Sequence, residues 1–191
     1  MTFATKITVT RMLLVPVFCV LAIKYGLGVE SGTPNEQYRF AALAVFIAAA
    51  ASDGIDGWIA RRFNQCSDLG AYLDPIADKA LVSSAVIILT VLDWGPDGWR
   101  LPVWFAGIVI LRDCVILAGI RILYSAGKKV AIKPHWTGKV CTFALFVVLG
   151  WVMLQVVALS PAYPCLFAAI LIILSMMEYI RQGIVILREE T

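Results

Sequence analysis

Six apolar stretches, each about as long as a membrane-crossing helix, limit what this chain can fold into. An α-helix needs about 20 mainly apolar residues to cross the hydrocarbon core of a bilayer. The stretches run from Ile7 to Tyr25, Arg39 to Ala60, Leu73 to Leu92, Leu101 to Leu123, Thr137 to Leu159 and Tyr163 to Arg181. Hydrophobic residues make up 61% of the chain, whereas about 45–50% is usual for soluble domains. The sequence therefore predicts an all-α integral membrane protein with six transmembrane helices.

The segments between these stretches have the composition of loops. Glycine, proline and asparagine are frequent in residues 26–37 and 93–100 and at Ser160-Pro161, and these residue types favour turns. Tryptophans near the predicted borders, among them Trp94 and Trp99, favour an aromatic belt, and Glu178 with Tyr179 and Arg181 favours an interfacial anchor. Because no repeat or linker interrupts the pattern, we expect a single membrane domain over residues 1–191.

The positions of the basic residues predict the orientation of the helices. Lysine and arginine lie at both ends of the chain, between the second and third stretches, and between the fourth and fifth. These residues are Lys6, Arg11, Arg61, Arg62, Lys128, Lys129, Lys133, Arg181 and Arg188. The opposite loops hold mainly aspartate and glutamate. Since basic loops face the cytoplasm, we expect a multi-pass protein of the inner or plasma membrane with cytoplasmic termini and active site.

Composition also argues against several other kinds of protein. The net charge is only +3 and the basic residues are scattered, so nucleic-acid binding is not expected. The five cysteines form no CxxC pair, which argues against a disulfide framework or a zinc site. Lys24 stands where a signal peptide would have small residues, so a retained first helix is expected.

Four aspartates in two closely spaced pairs carry the main functional signal. Asp53 and Asp56 are three residues apart, and Asp74 and Asp78 are four apart. Such spacings place each pair on one face of a helix. Because the connection between the two helices is short, we expect antiparallel neighbours whose cytoplasmic ends bring the four carboxylates together.

Four carboxylates at the edge of a membrane need compensating charge, since burial and mutual repulsion both disfavour their ionised forms. Two divalent cations, Mg²⁺ or Mn²⁺, would supply it, and paired metals suit phosphoryl transfer. Gly57 and Gly70 leave room for a polar ligand beside the backbone, and Arg61 can pair with a phosphate. The alternatives from the residues alone are intramembrane ion pairs or a proton path.

The aspartates belong to a longer pattern that resembles the signature of the CDP-alcohol phosphotransferases. Eight positions match: Asp53, Asp56, Gly57, Ala60, Arg61, Gly70, Asp74 and Asp78. The resemblance implies the fold of that family, with six membrane helices and a cavity open to the cytoplasm. It also implies that the four aspartates hold two metals and that Asp78 is the general base. The CDP site would be lined by Gly57, Ala60, Arg61, Ser67 and Gly70.

The reaction implied by this resemblance is a direct displacement. A phosphatidyl group would pass from CDP-diacylglycerol to an alcohol, with release of CMP, while the lipid tails stay in the bilayer. The resemblance also implies a homodimer among membrane lipids. An alternative from another class is a cation- or proton-coupled transporter that uses the same acids. Transporters of that kind are usually built from repeated halves, and no repeat is visible here.

Two further segments bear on the acceptor alcohol. Residues 5–16 and 73–79 resemble phosphatidylglycerophosphate synthases, which implies transfer to glycerol 3-phosphate. The fourth stretch departs from that pattern, because Arg112-Asp113 stands where those synthases usually have Arg-Glu. Residues 132–139 are similar to eukaryote-type cardiolipin synthases, which implies phosphatidylglycerol as the alternative acceptor.

A phosphate-bearing acceptor needs cationic partners. Arg112, Arg121 and Lys139 are the candidates, because they lie in or beside the fourth and fifth stretches. Two alternatives remain open. Arg112 could pair with Asp113 instead, and loop lysines often contact anionic lipid headgroups.

Overall fold

A computed structural model describes residues 3–63, 68–125, 136–155 and 160–188 of the chain. Only the backbone is described at residues 3–9, 11, 53–63, 68–78, 97, 120, 123–124, 136–137, 139 and 186–188. Within these ranges the structure contains six α-helices, one short 3₁₀ helix and no strand. The α-helices are α1 (Phe3–Glu30), α2 (Glu36–Phe63), α3 (Asp68–Val91), α4 (Val103–Ser125), α5 (Trp136–Leu154) and α6 (Ala162–Arg188).

Each predicted apolar stretch corresponds to one observed helix, but several helix ends lie four to seven residues from the predicted ones; the largest difference is at α6, which continues to Arg188. The first helix continues through Gly26 to Glu30, although the glycines there favoured a loop. The fifth helix ends at Leu154 rather than Leu159. The loop over residues 93–100 was predicted correctly and contains the 3₁₀ helix Pro96–Gly98.

The described surface is rich in large apolar side chains. Val103 and Phe143 are each 70% exposed, and Phe167 is 66% exposed. Among the described residues, Met12–Glu30 and Ala162–Val185 are long and apolar enough to cross a membrane, with mean hydropathies of 2.1 and 1.9. Extensive exposed apolar surface is unfavourable in water. This surface is therefore suited to contact with lipid.

The described contacts divide the chain into two compact units. The first unit comprises Met1–Arg100 together with Val152–Gln155, and the second comprises Leu101–Trp151 together with Val156–Thr191. In the first unit, α1 packs against both α2 and α3, and α2 also contacts α3. The rings of Phe18 and Phe46 lie 5.6 Å apart in the buried contact between α1 and α2. The prediction that α2 and α3 are neighbours is therefore confirmed.

The end of α5 is held within the first unit by four side chains, Arg39, Trp94, Trp99 and Gln155, which we call the α5 cap. The last carbonyls of a helix have no partner inside the helix. Here the indole of Trp99 donates to the carbonyl of residue 152 at 3.0 Å, and that of Trp94 donates to residue 153 at 3.2 Å. A guanidinium nitrogen of Arg39 lies 3.5 Å from the carbonyl of residue 154. Three successive carbonyls at the end of α5 are thus satisfied by side-chain donors.

Gln155 completes the α5 cap by ending the helix. Its φ of 52° lies in the left-handed region, which residues with side chains rarely adopt. Its side-chain amide donates to the carbonyl of Trp94 and, at 2.9 Å, to the hydroxyl of Tyr25. That hydroxyl lies 3.4 Å from a carboxylate oxygen of Glu36, to which it donates. These contacts explain why the helix ends five residues before its predicted boundary.

In the second unit, α4 packs against α6. Tyr179 of α6 donates its hydroxyl to the carbonyl of Ile116 at 3.2 Å. A side chain at Gly119 would begin only 2.9 Å from the ring of Tyr179, so the glycine permits the two helices to approach. The hydroxyl of Tyr179 is thus used between helices, and the interfacial anchor expected at this end of α6 stays a prediction. The expected belt residue Trp94 is fully buried.

Candidate functional site

The aspartate segments are helical, as the sequence predicted. Asp53 and Asp56 lie on α2, and Asp74 and Asp78 lie on α3. Both helices belong to the first unit and contact each other. The side chains of all four aspartates lie outside the described residues. Convergence of the carboxylates therefore remains a prediction.

The residues expected to bind CDP are distributed over the same two helices. Gly57, Ala60 and Arg61 lie on the helical backbone of α2, and Gly70 lies in the first turn of α3. Ser67 and the side chains of the other four lie outside the described residues. The spacing of these residues along α2 and α3 is therefore established, whereas their contacts with a ligand are not.

The donor set fits the hard divalent cations that the family resemblance implies. Carboxylate oxygens are the ligands that Mg²⁺ and Mn²⁺ prefer. The four aspartates are spaced by three or four residues on helices that contact each other, which is a suitable backbone arrangement. Among the side chains that the structure describes, no group of three or more histidines, cysteines or acids could hold a metal. The four aspartate side chains are not among them.

Sequence reasoning missed Lys79, which directly follows Asp78 on α3. Its ammonium nitrogen is buried. A buried cation is costly unless opposite charge compensates it, and the acids nearest to Lys79 in the sequence are Asp78 and Asp74 on the same helix. Its position after Asp78 was the only sequence signal. Lys79 therefore lowers the net negative charge of this part of the first unit.

Arg112 lies in the middle of α4 and is mostly buried, with 15% of its side chain exposed. One terminal nitrogen lies 3.6 Å from a carboxylate oxygen of Asp113, so the predicted alternative pairing is present. That pair leaves the guanidinium incompletely satisfied, because its buried Nε has no hydrogen-bond partner in the structure. The Arg112 side chain thus retains donor capacity for an anion.

The other two acceptor candidates differ in their surroundings. Arg121 is exposed on the last turns of α4. Lys139 lies on the first turn of α5, with its side chain outside the described residues. Arg112 acts electrostatically on the buried Cys141 of α5, two residues after Lys139. Within the second unit, Arg112 and Lys139 therefore lie on helices that are near each other, whereas nothing described brings Arg121 to them.

Comparison with known proteins identifies the family. A family model described as CDP-alcohol phosphatidyltransferase matches residues 1–181. The chain belongs to the CDP-alcohol phosphatidyltransferase family. The matched region contains both aspartate pairs and all the acceptor candidates. The chain is therefore a membrane enzyme of the phosphatidyltransferase class, and the transporter interpretation is not favoured.

Curated relatives extend this result over almost the full chain. A protein of Escherichia coli strain K12 named CDP-diacylglycerol–glycerol-3-phosphate 3-phosphatidyltransferase is 34% identical over 180 residues, covering 92% of this chain and 91% of the relative. A protein of the same name from Shigella flexneri serotype 5b is 32% identical over 183 residues, with the same coverage of both chains. The predicted resemblance to this group of synthases is confirmed.

Proposed function

We propose that this protein transfers the phosphatidyl group of CDP-diacylglycerol to glycerol 3-phosphate, forming phosphatidylglycerophosphate and CMP in phospholipid biosynthesis. The observation that carries the proposal is the 34% identity, over 92% of the chain, to a relative named for that reaction. The eight matching signature positions on α2 and α3 support the same chemistry.

In the proposed reaction, Asp78 acts as the general base. It accepts the proton of the acceptor hydroxyl, whose oxygen then forms a bond to the phosphorus that bears the diacylglycerol. The bond from this phosphorus to the bridging oxygen of CMP breaks, and CMP leaves. A positioned base of this kind typically accelerates a reaction by about 10²–10⁴-fold. Gly57 and Gly70 leave space for CDP beside the backbone, and Arg61 pairs with its phosphate.

Asp53, Asp56, Asp74 and Asp78 would hold two divalent cations, Mg²⁺ or Mn²⁺. When bound, such ions stabilise negative charge on the diphosphate and on the departing CMP. The support for this part of the proposal is the donor set itself, because four unpaired carboxylates at a membrane edge would be strongly destabilising. Activity should therefore stop in excess chelator and return with Mg²⁺ or Mn²⁺. Full activity in excess chelator would exclude metal dependence.

Arg112 is the strongest candidate for binding the phosphate of glycerol 3-phosphate. Its guanidinium is mostly buried in α4 and only partly satisfied by Asp113. A buried cation with spare donors binds a phosphate more tightly than an exposed one, since water competes less. Lys139 joins it in the proposal because α5 lies near Arg112. Arg121 is exposed and contributes less.

The membrane arrangement is part of the same proposal. We infer a single domain over residues 1–191 with six membrane spans, cytoplasmic termini and a cytoplasmic active site. The continuous family match and the pattern of basic residues support this arrangement. The family resemblance also supports a homodimer.

One assay distinguishes the acceptors. Purified protein is incubated with CDP-diacylglycerol and either glycerol 3-phosphate or phosphatidylglycerol, and the lipid product is identified by mass spectrometry. Phosphatidylglycerophosphate from the first mixture is the expected result. Cardiolipin from the second mixture, without product from the first, would contradict the proposed acceptor and identify the alternative synthase activity. Hydrolysis or transport without transfer would contradict the proposed reaction altogether.

A further inference from the structure

The α4–α6 pair carries an open apolar groove on its surface. The groove has a volume of about 270 Å³ and is lined by Val115, Ala118 and Ile122 of α4 and by Ile180, Gly183 and Ile184 of α6. Gly183 opens it, since a side chain there would meet no atom within 4 Å. The groove is therefore a depression in the described surface of the second unit.

A second depression adjoins the groove, and its lining includes a positively charged side chain. Ile180 and Ile184 line both, and Arg181 lies with Met177 and Val185 in the second, which has a volume of about 410 Å³. Arg181 is exposed although it falls within the apolar span Ala162–Val185. None of the ion pairs found among the described residues includes it.

An exposed arginine in an apolar span has few partners available to it. Its aliphatic stem can lie along apolar surface while the guanidinium reaches toward the headgroup region. The phosphates of lipid headgroups are the anions found at that level, and a guanidinium can bind a phosphate through two parallel hydrogen bonds. Arg181 thus matches the phosphate of a phospholipid, and the adjoining apolar groove matches one of its acyl chains.

We propose that the α4–α6 surface binds one anionic glycerophospholipid, with an acyl chain in the groove and its phosphate on Arg181. The apolar groove positions the acyl chain but does not distinguish between lipids with the same tails, because the bilayer offers tails equally apolar surroundings. Selectivity for this lipid must therefore come from charge, and Arg181 provides it. The lining of the two depressions includes neither Arg112 nor Lys139 nor any of the four aspartates.

The test measures lipid retained by the detergent-purified protein in native mass spectrometry. Mixed micelles contain phosphatidylglycerol or phosphatidylcholine with identical acyl chains. One retained lipid per chain is expected, with a preference of about fivefold for phosphatidylglycerol, the factor expected for one arginine at an anionic surface. Arg181→Gln should abolish the preference, and Arg181→Lys should restore much of it. Equal retention of both lipids by the unmodified protein would overturn the proposal.

A pair of glycine variants tests the groove independently of charge. Gly183→Val fills the groove, whereas Gly107→Val adds the same side chain to α4 outside it, where a Cβ also meets no atom within 4 Å. Gly183→Val should lower retention of phosphatidylglycerol severalfold relative to Gly107→Val, because a filled groove no longer accommodates the acyl chain. Equal retention by the two variants would contradict the proposal. A change from dimer to monomer in Gly183→Val, with retention unchanged, would assign the groove to a second copy of the chain instead.

Discussion

The end of α5 in the first unit and the α4–α6 contact in the second unit are held by different kinds of interaction. In the first unit, the α5 cap uses indole, guanidinium and amide donors to satisfy backbone carbonyls. In the second unit, the described contact between α4 and α6 includes the close fit of Gly119 against Tyr179 and one hydrogen bond to Ile116. Directional hydrogen bonds fix the end of a helix at one residue, whereas apolar packing leaves neighbouring surface open.

The candidate chemistry is divided in the same way. The aspartates lie on α2 and α3 of the first unit, and the acceptor candidates Arg112, Arg121 and Lys139 lie on α4 and α5 of the second. If the proposed acceptor residues are right, the family signature and the acceptor preference reside in different units of the chain. Variants in the two units should therefore change different kinetic constants.

The largest effect is expected from a pair of charge variants, one in each unit. Asp78→Asn should lower CMP release by about 10²–10⁴-fold with any acceptor, because the general base is lost. Arg112→Gln should raise the KM for glycerol 3-phosphate by about tenfold or more and leave the KM for CDP-diacylglycerol unchanged, since only a charged hydrogen bond to the acceptor is removed. Steady-state kinetics with each substrate varied measures both.

Two outcomes would break the division of roles. Near-normal turnover by Asp78→Asn would contradict its role as the base. Equal increases in both KM values for Arg112→Gln would mean that Arg112 supports the fold rather than the acceptor. Arg112→Lys is the matched control, because it keeps the charge but loses the planar fork of donors.

Next in size is a comparison of two glycines at helix contacts. A Cβ at Gly26 would lie 2.7 Å from Cβ of Leu92, whereas a Cβ at Gly119 would lie 2.9 Å from the ring edge of Tyr179. The Cβ of Leu92 is fixed to the backbone, so α1 must move, but the ring of Tyr179 can rotate away. Gly26→Ala should lower the free energy of unfolding by about 2–3 kcal/mol and Gly119→Ala by about 1 kcal/mol. Thermal unfolding in detergent measures the difference, and the reverse order would refute this explanation.

A smaller effect is expected at Gln155, where hydrogen bonding and backbone strain can be separated. Gln155→Ala removes the donors to Trp94 and Tyr25 but keeps the left-handed φ, and should cost about 1–3 kcal/mol of unfolding free energy. Gln155→Gly removes the same donors and relieves the strain, so it should cost about 1 kcal/mol less. If Gln155→Gly and Gln155→Ala had the same free energy of unfolding in this assay, residue 155 would not be strained in the folded protein.

The smallest effect is expected at Tyr179. Tyr179→Phe removes the hydrogen bond to Ile116 but keeps the ring against Gly119. Interhelical hydrogen bonds in membranes contribute about 0.6 kcal/mol on average, so a loss of that size in unfolding free energy is expected. Trp99→Phe in the α5 cap is the matched control. If Tyr179→Phe lost more unfolding free energy than Trp99→Phe, hydrogen bonding would matter more in the α4–α6 contact than in the α5 cap, contrary to the comparison made above.

The structure also shows which features were accessible to sequence reasoning. The six helices were predicted to within a few residues at most ends, because length and apolarity are properties of consecutive residues. The helical placement of the aspartates followed from spacing in the same way. The burial of Trp94, the contact of Tyr179 and the early end of α5 were not predictable, because each depends on a partner far away in the chain.

The sequence by itself determined the helices, the spacing of the acidic residues on α2 and α3, and through them the family. Only the tertiary structure decided where α5 ends and which polar groups are satisfied within each unit. The physical reason is the range of the interactions involved. Hydropathy and helical spacing act over a few residues, whereas the amide of Gln155 reaches a hydroxyl 130 positions away. Such a partner exists only once the helices have packed.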